Sequence, residues 1–241
     1  MSPLLLPFQL VLLMFSGWVH RHQLDVIEYL QEENRLLTGI RVANRQIFER
    51  STRSREYHGM GTTVVGAMFS PKKQRMYIGH VGDSRCYRVR AGEIQQLTRD
   101  HSLINDYLLA MPDLTDEQKS ELPKNVITRA LGMQDHVVVD LQHDDPKQGD
   151  VYVLCSDGLS GMVSDDDIRH IVTTTQDIRE ACRRLIQRAN ERGGEDNITA
   201  VLIKIEKQDE ATGDPKVGPK DPAKAPVDGT PVDGAKDRTG T

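Results

Sequence analysis

The stretch Val151–Met162, which reads VYVLCSDGLSGM, decides the fold. Its first five residues are β-branched, aromatic or aliphatic, and this pattern predicts a buried strand, Val151–Cys155. Ser156-Asp157-Gly158 follows, so a carboxylate lies at a strand end beside a glycine that permits a sharp turn. An aspartate in this position can ligate a hard cation, although an Asp-Gly pair after a strand is more often an ordinary turn.

The composition excludes some classes of function. The chain has 241 residues and a formal net charge of -5, so it lacks the basic surface of a nucleic-acid-binding protein. The acidic balance also disfavours binding to anionic membranes. Three cysteines (Cys86, Cys155 and Cys182) are an odd number without the spacing of a metal site, and the last two lie in apolar patterns typical of buried residues. We therefore expect a protein of a reducing compartment, the cytoplasm.

The first 37 residues differ in character from those that follow. Leu4–Val19 is an uncharged apolar run of about 16 residues, shorter than the ~20 that span a bilayer, and no Lys or Arg precedes it. A weak membrane segment that contacts lipid through residues 4–19, a buried helix, and sequence foreign to the domain all remain open. His20–Leu37 (HRHQLDVIEYLQEENRLL) has helical periodicity and resembles the leader of insertion-element integrases, with an ordinary amphipathic helix as the alternative.

The sequence after this leader predicts a domain of helices and short strands, followed by a tail. Strands are predicted at Val64–Phe69, Gln74–Val81, Cys86–Arg90, Glu93–Thr98, Val137–Leu141, Val151–Cys155 and Ile198–Ile205, and helices at Ile40–Arg53, Thr115–Leu122, Ser164–Val172 and Ile178–Ala189. The close spacing of the strands favours antiparallel sheets over βαβ units. From Lys207 the sequence is rich in Pro, Gly, Lys and Asp and is predicted to be disordered. The predicted divisions are thus a leader (1–37), a domain (38–206) and a tail (207–241).

Four short phrases carry candidate chemistry. They are GMGTT (59–63), GDSR (82–85), SDGL (156–159) and GEDNIT (194–199). Each of the last three places an aspartate (Asp83, Asp157 and Asp196) at a strand end or turn, beside a small or flexible residue. Three carboxylates that converge from separate strands would form an oxygen-rich site for Mg²⁺ or Mn²⁺. Cations of this kind serve phosphoryl chemistry by polarising the phosphate and lowering the pKa of a bound water.

In this order and spacing, the four phrases resemble the bacterial type of the metal-dependent PP2C (PPM) family of serine/threonine protein phosphatases. Thr98, Asp100, His101 and the phrase ITRALG (127–132) match the same pattern, and the resemblance runs from about Ile40 to Ile205. It implies an α+β fold, an α/β/β/α sandwich of two antiparallel sheets flanked by helices, here N-terminally incomplete. It also implies a hydrolase whose partners are phosphorylated proteins and whose Mn²⁺- or Mg²⁺-activated water attacks phosphoserine and phosphothreonine without a phosphoenzyme.

The resemblance assigns roles to individual residues. Asp157 and Asp196 would be ligands of a two-metal core. Asp83 would either join Asp157 in an outer, third metal site or brace its own loop. Four further residues are expected to shape turns or pack beside the sheet without binding metal: Gly158, Asn197, Thr62 and Thr63.

One part of the family pattern is missing from the sequence. The family begins with an Arg that binds the substrate phosphate, a Glu-Asp pair, and an Asp-Gly phrase whose aspartate bridges both metals. Nothing between Met1 and Gly39 matches these, and neither Asp25 nor Glu32-Glu33 is predicted to be a ligand, so no catalytic residue is assigned. Three hypotheses follow: an active phosphatase; a non-catalytic remnant that serves as a binding module or results from gene disruption; and a membrane-anchored fragment.

Overall fold

The computed structural model describes residues 5–115, 118, 122–123 and 126–206. The tail predicted from Lys207 lies outside these residues, as does most of the helix predicted over Thr115–Leu122. The start of that helix is described: the Thr115 N–H donates to Gln118 Oε1 at 3.0 Å, and the Gln118 N–H donates to Thr115 Oγ1 at 3.3 Å. This reciprocal pair is the capping box that the sequence predicts.

Seven strands form two antiparallel sheets. The strands are β1 (Val64–Ser70), β2 (Arg75–Val81), β3 (Arg85–Arg90), β4 (Glu93–Gln96), β5 (Asp140–Asp144), β6 (Val151–Cys155) and β7 (Ala200–Lys204). The first sheet has the order β1-β2-β5 and the second the order β4-β3-β6-β7. Every pairing between neighbouring strands is antiparallel, as expected from the close strand spacing in the sequence.

Helices flank the two sheets. They are α1 (Leu5–Arg53), α2 (Leu103–Ala110), α3 (Asp157–Ser160), α4 (Asp165–Thr174) and α5 (Ile178–Glu191), with a 3₁₀ turn at Arg55–Tyr57. Helix α4 is capped by Ser164, whose Oγ accepts the Asp167 N–H at 3.3 Å, as the sequence predicts. Helix α1 is continuous across the predicted boundary at residues 37–38. Among the described residues, none of the helices combines the length and the apolar character needed to cross a bilayer.

Three apolar clusters define the layers. Alternate residues of β2 and β6, including Met76, Ile78 and Tyr152, pack between the two sheets. The opposite face of the second sheet packs against α4 and α5 through residues such as Val153 and Leu185. The third cluster joins the second half of α1 to the first sheet: Leu36, Ile40, Ala43, Ile47, Val64 and Val81. The resulting order of layers, helix, sheet, sheet and helices, confirms the predicted α/β/β/α sandwich.

A buried polar network also joins the two sheets. The Asp144 carboxylate at the end of β5 accepts hydrogen bonds from Arg88 Nη1 of β3 and from the Tyr152 hydroxyl of β6, each at 2.5 Å. Arg90 binds the Asp150 carboxylate through Nε and Nη2 at 2.8 and 2.6 Å. Removing one partner of a buried charged pair is strongly destabilising. The network therefore favours the one stacking of the sheets in which these partners meet.

Some predicted strand ends are wrong by two or three residues. The strand predicted to begin at Val137 begins at Asp140, and the Val138 carbonyl instead accepts a hydrogen bond from Arg129 at 3.2 Å. The strand predicted to reach Thr98 ends at Gln96, and Thr98 Oγ1 accepts the Cys86 N–H at 2.9 Å. In both places a side-chain hydrogen bond takes the role of a ladder hydrogen bond.

Candidate functional site

The three predicted aspartates lie at one end of the second sheet. Asp83 precedes β3, Asp157 follows β6, and Asp196 lies on the loop before β7. In the β3–β6 ladder Arg85 pairs with Cys155, so the same antiparallel register places Asp83 opposite Asp157. The sheet therefore brings two of the carboxylates together, while the third lies on the adjoining turn.

The negative charge of Asp157 acts on the carboxyl of Asp83. Burial raises the pKa of the half-buried Asp83, and the negative charge of Asp157 raises it further. Arg85 opposes this only weakly, because its guanidinium binds the Asp100 carboxylate at 2.7 and 3.0 Å. Two like charges held at a sheet end without a dedicated counterion favour the binding of a cation.

Hydrogen bonds hold the turn of Asp157 against the turn of Asp196. The Ser156 N–H donates to the Thr199 carbonyl at 3.1 Å, and the Thr199 N–H donates to Ser156 Oγ at 3.0 Å. Ser156 Oγ also donates to the Asn197 carbonyl at 3.1 Å. A Cβ at Gly158 would lie 2.5 Å from that same carbonyl oxygen, so only glycine fits at this position.

The exposed Asp157 and Asp196 carboxylates are oriented by their own turns. Asp157 Oδ1 accepts the Gly158 N–H at 2.9 Å, and Asp196 Oδ1 accepts the Asn197 N–H at 2.6 Å. In each case the hydrogen bond to a described residue uses only Oδ1, so Oδ2 is available to a ligand. The oxygens of the three aspartates do not all lie within 4.8 Å of one another, so in this arrangement they do not all surround a single ion.

The two threonines of the first phrase support the turn of Asp83. Thr62 exchanges backbone hydrogen bonds with Leu131 at 3.1 and 2.8 Å. Thr63 Oγ1 lies 2.9 Å from Ser84 Oγ, and a Cβ at Gly82, whose φ is +110°, would overlap the Thr63 side chain. The residues on both sides of Asp83 are therefore packed against Thr63.

His101 was part of the resemblance, but the sequence did not show what it does. It makes two hydrogen bonds to Gly82. The Gly82 backbone N–H donates to the ring atom His101 Nδ1, and the His101 backbone N–H donates to the Gly82 carbonyl, both at 3.0 Å. Burial lowers the pKa of His101, and the hydrogen bond to Asp140 does not offset this shift, so the imidazole is neutral. Because Nδ1 accepts the Gly82 N–H, the ring proton lies on Nε2. His101 thus holds the turn that carries Asp83.

A second group of metal-capable side chains is a poor metal site. Nitrogen or oxygen atoms of His80, His101 and Asp140 lie within 4.8 Å of one another. The two imidazole rings are stacked, however, with centroids 4.7 Å apart and planes 15° from parallel, so their lone pairs do not converge on one point. Arg129 Nη1 lies 3.0 Å from His101 Nε2 and 2.6 Å from Asp140 Oδ1, so a cation is already present. Burial raises the pKa of Asp140, but hydrogen bonds from His101 and Arg129 outweigh burial and lower it overall.

The sandwich and its aspartate edge define a metal-dependent phosphatase fold, and sequence comparison agrees. The family model of protein phosphatase 2C matches residues 13–203. The serine/threonine phosphatase stp of Listeria welshimeri is 35% identical over 194 residues, which are 80% of this chain and 75% of that protein. The protein phosphatase PhpP of Streptococcus pneumoniae is 39% identical over 154 residues, which are 64% of this chain and 61% of that protein.

Solved structures agree in fold. Stp1 from Staphylococcus aureus is 34% identical with a TM-score of 0.68, and the match covers 73% of this chain and 69% of that one. The catalytic domain of the phosphatase PstP in complex with two manganese ions is 32% identical with a TM-score of 0.64, over 73% of this chain and 72% of that one. The chain belongs to the protein phosphatase 2C family. By family it is a metal-dependent serine/threonine protein phosphatase.

Proposed function

We propose that Asp83, Asp157 and Asp196 bind Mn²⁺ or Mg²⁺, and that the chain uses this site to hydrolyse phosphoserine and phosphothreonine in proteins. The observation that carries the proposal is the Asp83–Asp157 pair, which lies beside the start of β3 and the end of β6, and where burial and the charge of Asp157 raise the pKa of Asp83. Neutralising such a pair with a cation relieves a repulsion that the fold otherwise has to tolerate.

The donor atoms suit a hard cation. All three side chains are carboxylates, and Mg²⁺ and Mn²⁺ prefer oxygen ligands with several positions left to water. The exposure of Asp157 and Asp196 leaves room for that water. The two manganese ions of PstP, a relative in structure, support Mn²⁺ as the first cation to test.

Each residue of the site has a task that its contacts support. When bound, the cation would polarise the phosphate and lower the pKa of a water molecule for in-line attack on phosphorus. Asp83, Asp157 and Asp196 would hold this charge at the edge of the sheet. Gly158 and Asn197 keep the two turns in contact, while Thr63 packs beneath Gly82, next to Asp83. Thr62 pairs its backbone with Leu131 and donates its hydroxyl to the Thr63 carbonyl at 3.3 Å, so it would support the loop without binding the cation.

We also infer the partners and the compartment. The substrates are phosphorylated proteins, in keeping with the serine/threonine phosphatases among the relatives. A reducing compartment, the cytoplasm, is supported by three free cysteines. Burial raises the pKa of both the Cys86 and the Cys155 thiol to about 12, so neither is a reactive thiolate at neutral pH.

Turnover of a phosphothreonine peptide by the full chain, followed by phosphate release with and without Mn²⁺, tests the activity. We expect Mn²⁺-dependent release that Asp157→Ala lowers on the order of a hundredfold or more, because a ligand of the cation is lost. The matched control is Asp166→Ala on the surface of α4, which should keep full turnover. Release no greater than that of Asp157→Ala would contradict activity and leave the non-catalytic hypothesis.

A further inference from the structure

A cavity of about 540 Å³ opens beside the turn that carries Asp83. Thr63 lines it and also packs against Gly82 and Ser84, the neighbours of Asp83 on either side. The cavity therefore lies next to the proposed cation site, with the Thr63 side chain between them. A polypeptide whose phosphorylated residue lies at the carboxylates would pass this cavity with an adjacent segment, since an extended chain advances roughly 3.3 Å per residue.

Arg129 gives the cavity a fixed positive group. Its hydrogen bonds to described residues all use Nη1, which donates to the Val138 carbonyl at 3.2 Å and to Asp140 Oδ1 at 2.6 Å. These contacts fix the guanidinium plane of a side chain that is 32% exposed. Nε and Nη2 make no hydrogen bond to a described residue, so this edge of the fork can receive an anion.

One wall of the cavity is apolar, and its lining carries no negative charge of its own. Ile127, Met133 and Val138 line it and are 41%, 65% and 69% exposed. Exposed apolar side chains in such a group mark surfaces that bind a partner. Among the described residues of the lining, none is acidic, and Asp140 behind Arg129 is already paired. The combination suits a ligand with one acidic and one apolar side chain.

We propose that this cavity binds the substrate segment next to the phosphorylated residue and selects an acidic side chain for Arg129 together with an apolar one for the wall of Ile127, Met133 and Val138. The inference rests on the proposed function, because it assigns the segment to a phosphoprotein. It adds a substrate preference that the cation site alone does not provide. The acidic side chain would accept a charge-assisted hydrogen bond from the free edge of the guanidinium.

The test compares the binding of fluorescein-labelled dodecapeptides to the full chain by fluorescence anisotropy in Mn²⁺. Each peptide carries one central phosphothreonine, flanked on both sides by repeated Glu-Leu, Gln-Leu or Lys-Leu dipeptides. We expect the Glu-Leu peptide to bind roughly tenfold more tightly than the Gln-Leu peptide, and the Lys-Leu peptide to bind most weakly, because the anion gains a charged hydrogen bond at Arg129. Equal affinity for the three peptides would overturn the proposal.

Variants locate the preference. Arg129→Gln should remove the difference between the Glu-Leu and Gln-Leu peptides, while Arg169→Gln on α4 should leave it unchanged. Because Arg129 also binds Asp140, a second pair of variants avoids that ion pair. Val138→Asp should weaken the binding of the Glu-Leu peptide, and Val138→Lys should not. The Val138 side chain is exposed enough to tolerate both substitutions. A Glu preference that survives in both Arg129→Gln and Val138→Asp would contradict the assignment.

A metal-free arm separates this inference from the proposed function. The unphosphorylated Glu-Leu peptide is titrated in EDTA, where the cation site makes no contribution. We expect weaker binding that still depends on Arg129. If binding depends on Arg129 while turnover is absent, the cavity assignment is supported and the proposed phosphatase activity is overturned. If turnover is present but no measurement depends on Arg129, the cavity assignment alone is overturned.

Discussion

At the scale of single residues, Gly158 decides whether the two aspartate turns can meet. A Cβ there would lie 2.5 Å from the Asn197 carbonyl oxygen and 3.0 Å from its carbon, which are backbone atoms that cannot move aside alone. We expect Gly158→Ala to lower the free energy of unfolding by about 1–3 kcal/mol, as overpacking does. Urea denaturation measures this change.

The matched control for this prediction is Gly39→Ala. Gly39 lies within α1, and nothing lies within 4 Å of a Cβ built there. Alanine should therefore be neutral or stabilising by up to about 1 kcal/mol, as expected in a helix. A Gly158→Ala protein as stable as the Gly39→Ala protein would show that the two turns are not in contact.

Asp83 should make the metal-free protein less stable at neutral pH. Burial and the charge of Asp157 raise its pKa in the folded state above the unfolded value of 3.8. A carboxyl shifted in this direction contributes stability at low pH, and the contribution is lost as the pH rises through the raised pKa. We expect Asp83→Asn to raise the Tm at pH 7 in EDTA.

Calorimetry across pH tests this prediction. The Tm gain of Asp83→Asn should shrink as the pH falls toward the ordinary pKa of aspartate, since wild-type Asp83 is then also neutral. In Mn²⁺ the order should reverse, because only the wild type has the full ligand set. A lower Tm for Asp83→Asn in EDTA at pH 7 would be inconsistent with a repulsive pair.

The scale of the element shows how far periodicity and turn chemistry predict structure. The strand Val151–Cys155 has the predicted bounds, and Ser164 caps α4 as expected. Local pattern succeeds in such places because neighbouring residues alone decide the outcome. The predicted starts of β5 and β7, Val137 and Ile198, are wrong: these strands begin at Asp140 and Ala200. Where a strand begins depends on long-range contacts. The Val138 carbonyl, for example, binds Arg129, a partner that strand periodicity does not reveal.

The stacking of the two sheets depends on Asp144, and this gives a test at the same scale. Its carboxylate binds Arg88 and Tyr152 of the other sheet, and its side chain is only 16% exposed. We expect Asp144→Ala to cost about 3–5 kcal/mol of unfolding free energy, because it leaves the largely buried Arg88 guanidinium without its carboxylate. Chemical denaturation of the full chain measures the loss.

The neighbouring Asp145 is the control for Asp144. It pairs with Arg75, but its side chain is 73% exposed, and exposed pairs contribute under about 1 kcal/mol. Asp145→Ala keeps the backbone carbonyl that accepts from Arg90. Similar costs for the two alanine variants would mean that the network between the sheets does not stabilise their stacking.

At the scale of the whole molecule, the sequence predicted the family and the fold, because four phrases keep their order and spacing. It also named the three aspartates, since each lies beside a predicted strand or turn. It could not assign a task to His101 or Arg129. Their partners, Gly82 and Asp140, are 19 and 11 residues away in the chain and meet them only when the first sheet is assembled.

The central claim is that one end of the second sheet binds divalent cations through Asp83, Asp157 and Asp196. Isothermal titration of Mn²⁺ into the full chain and into Asp83→Asn, Asp157→Asn, Asp196→Asn and the surface control Asp166→Asn tests it most directly. Wild type and Asp166→Asn should bind Mn²⁺ equally, and each of the other three should lose on the order of tenfold or more in affinity, because a hard cation loses an anionic oxygen. Equal binding by all five proteins, or no binding by the wild type, would contradict the claim.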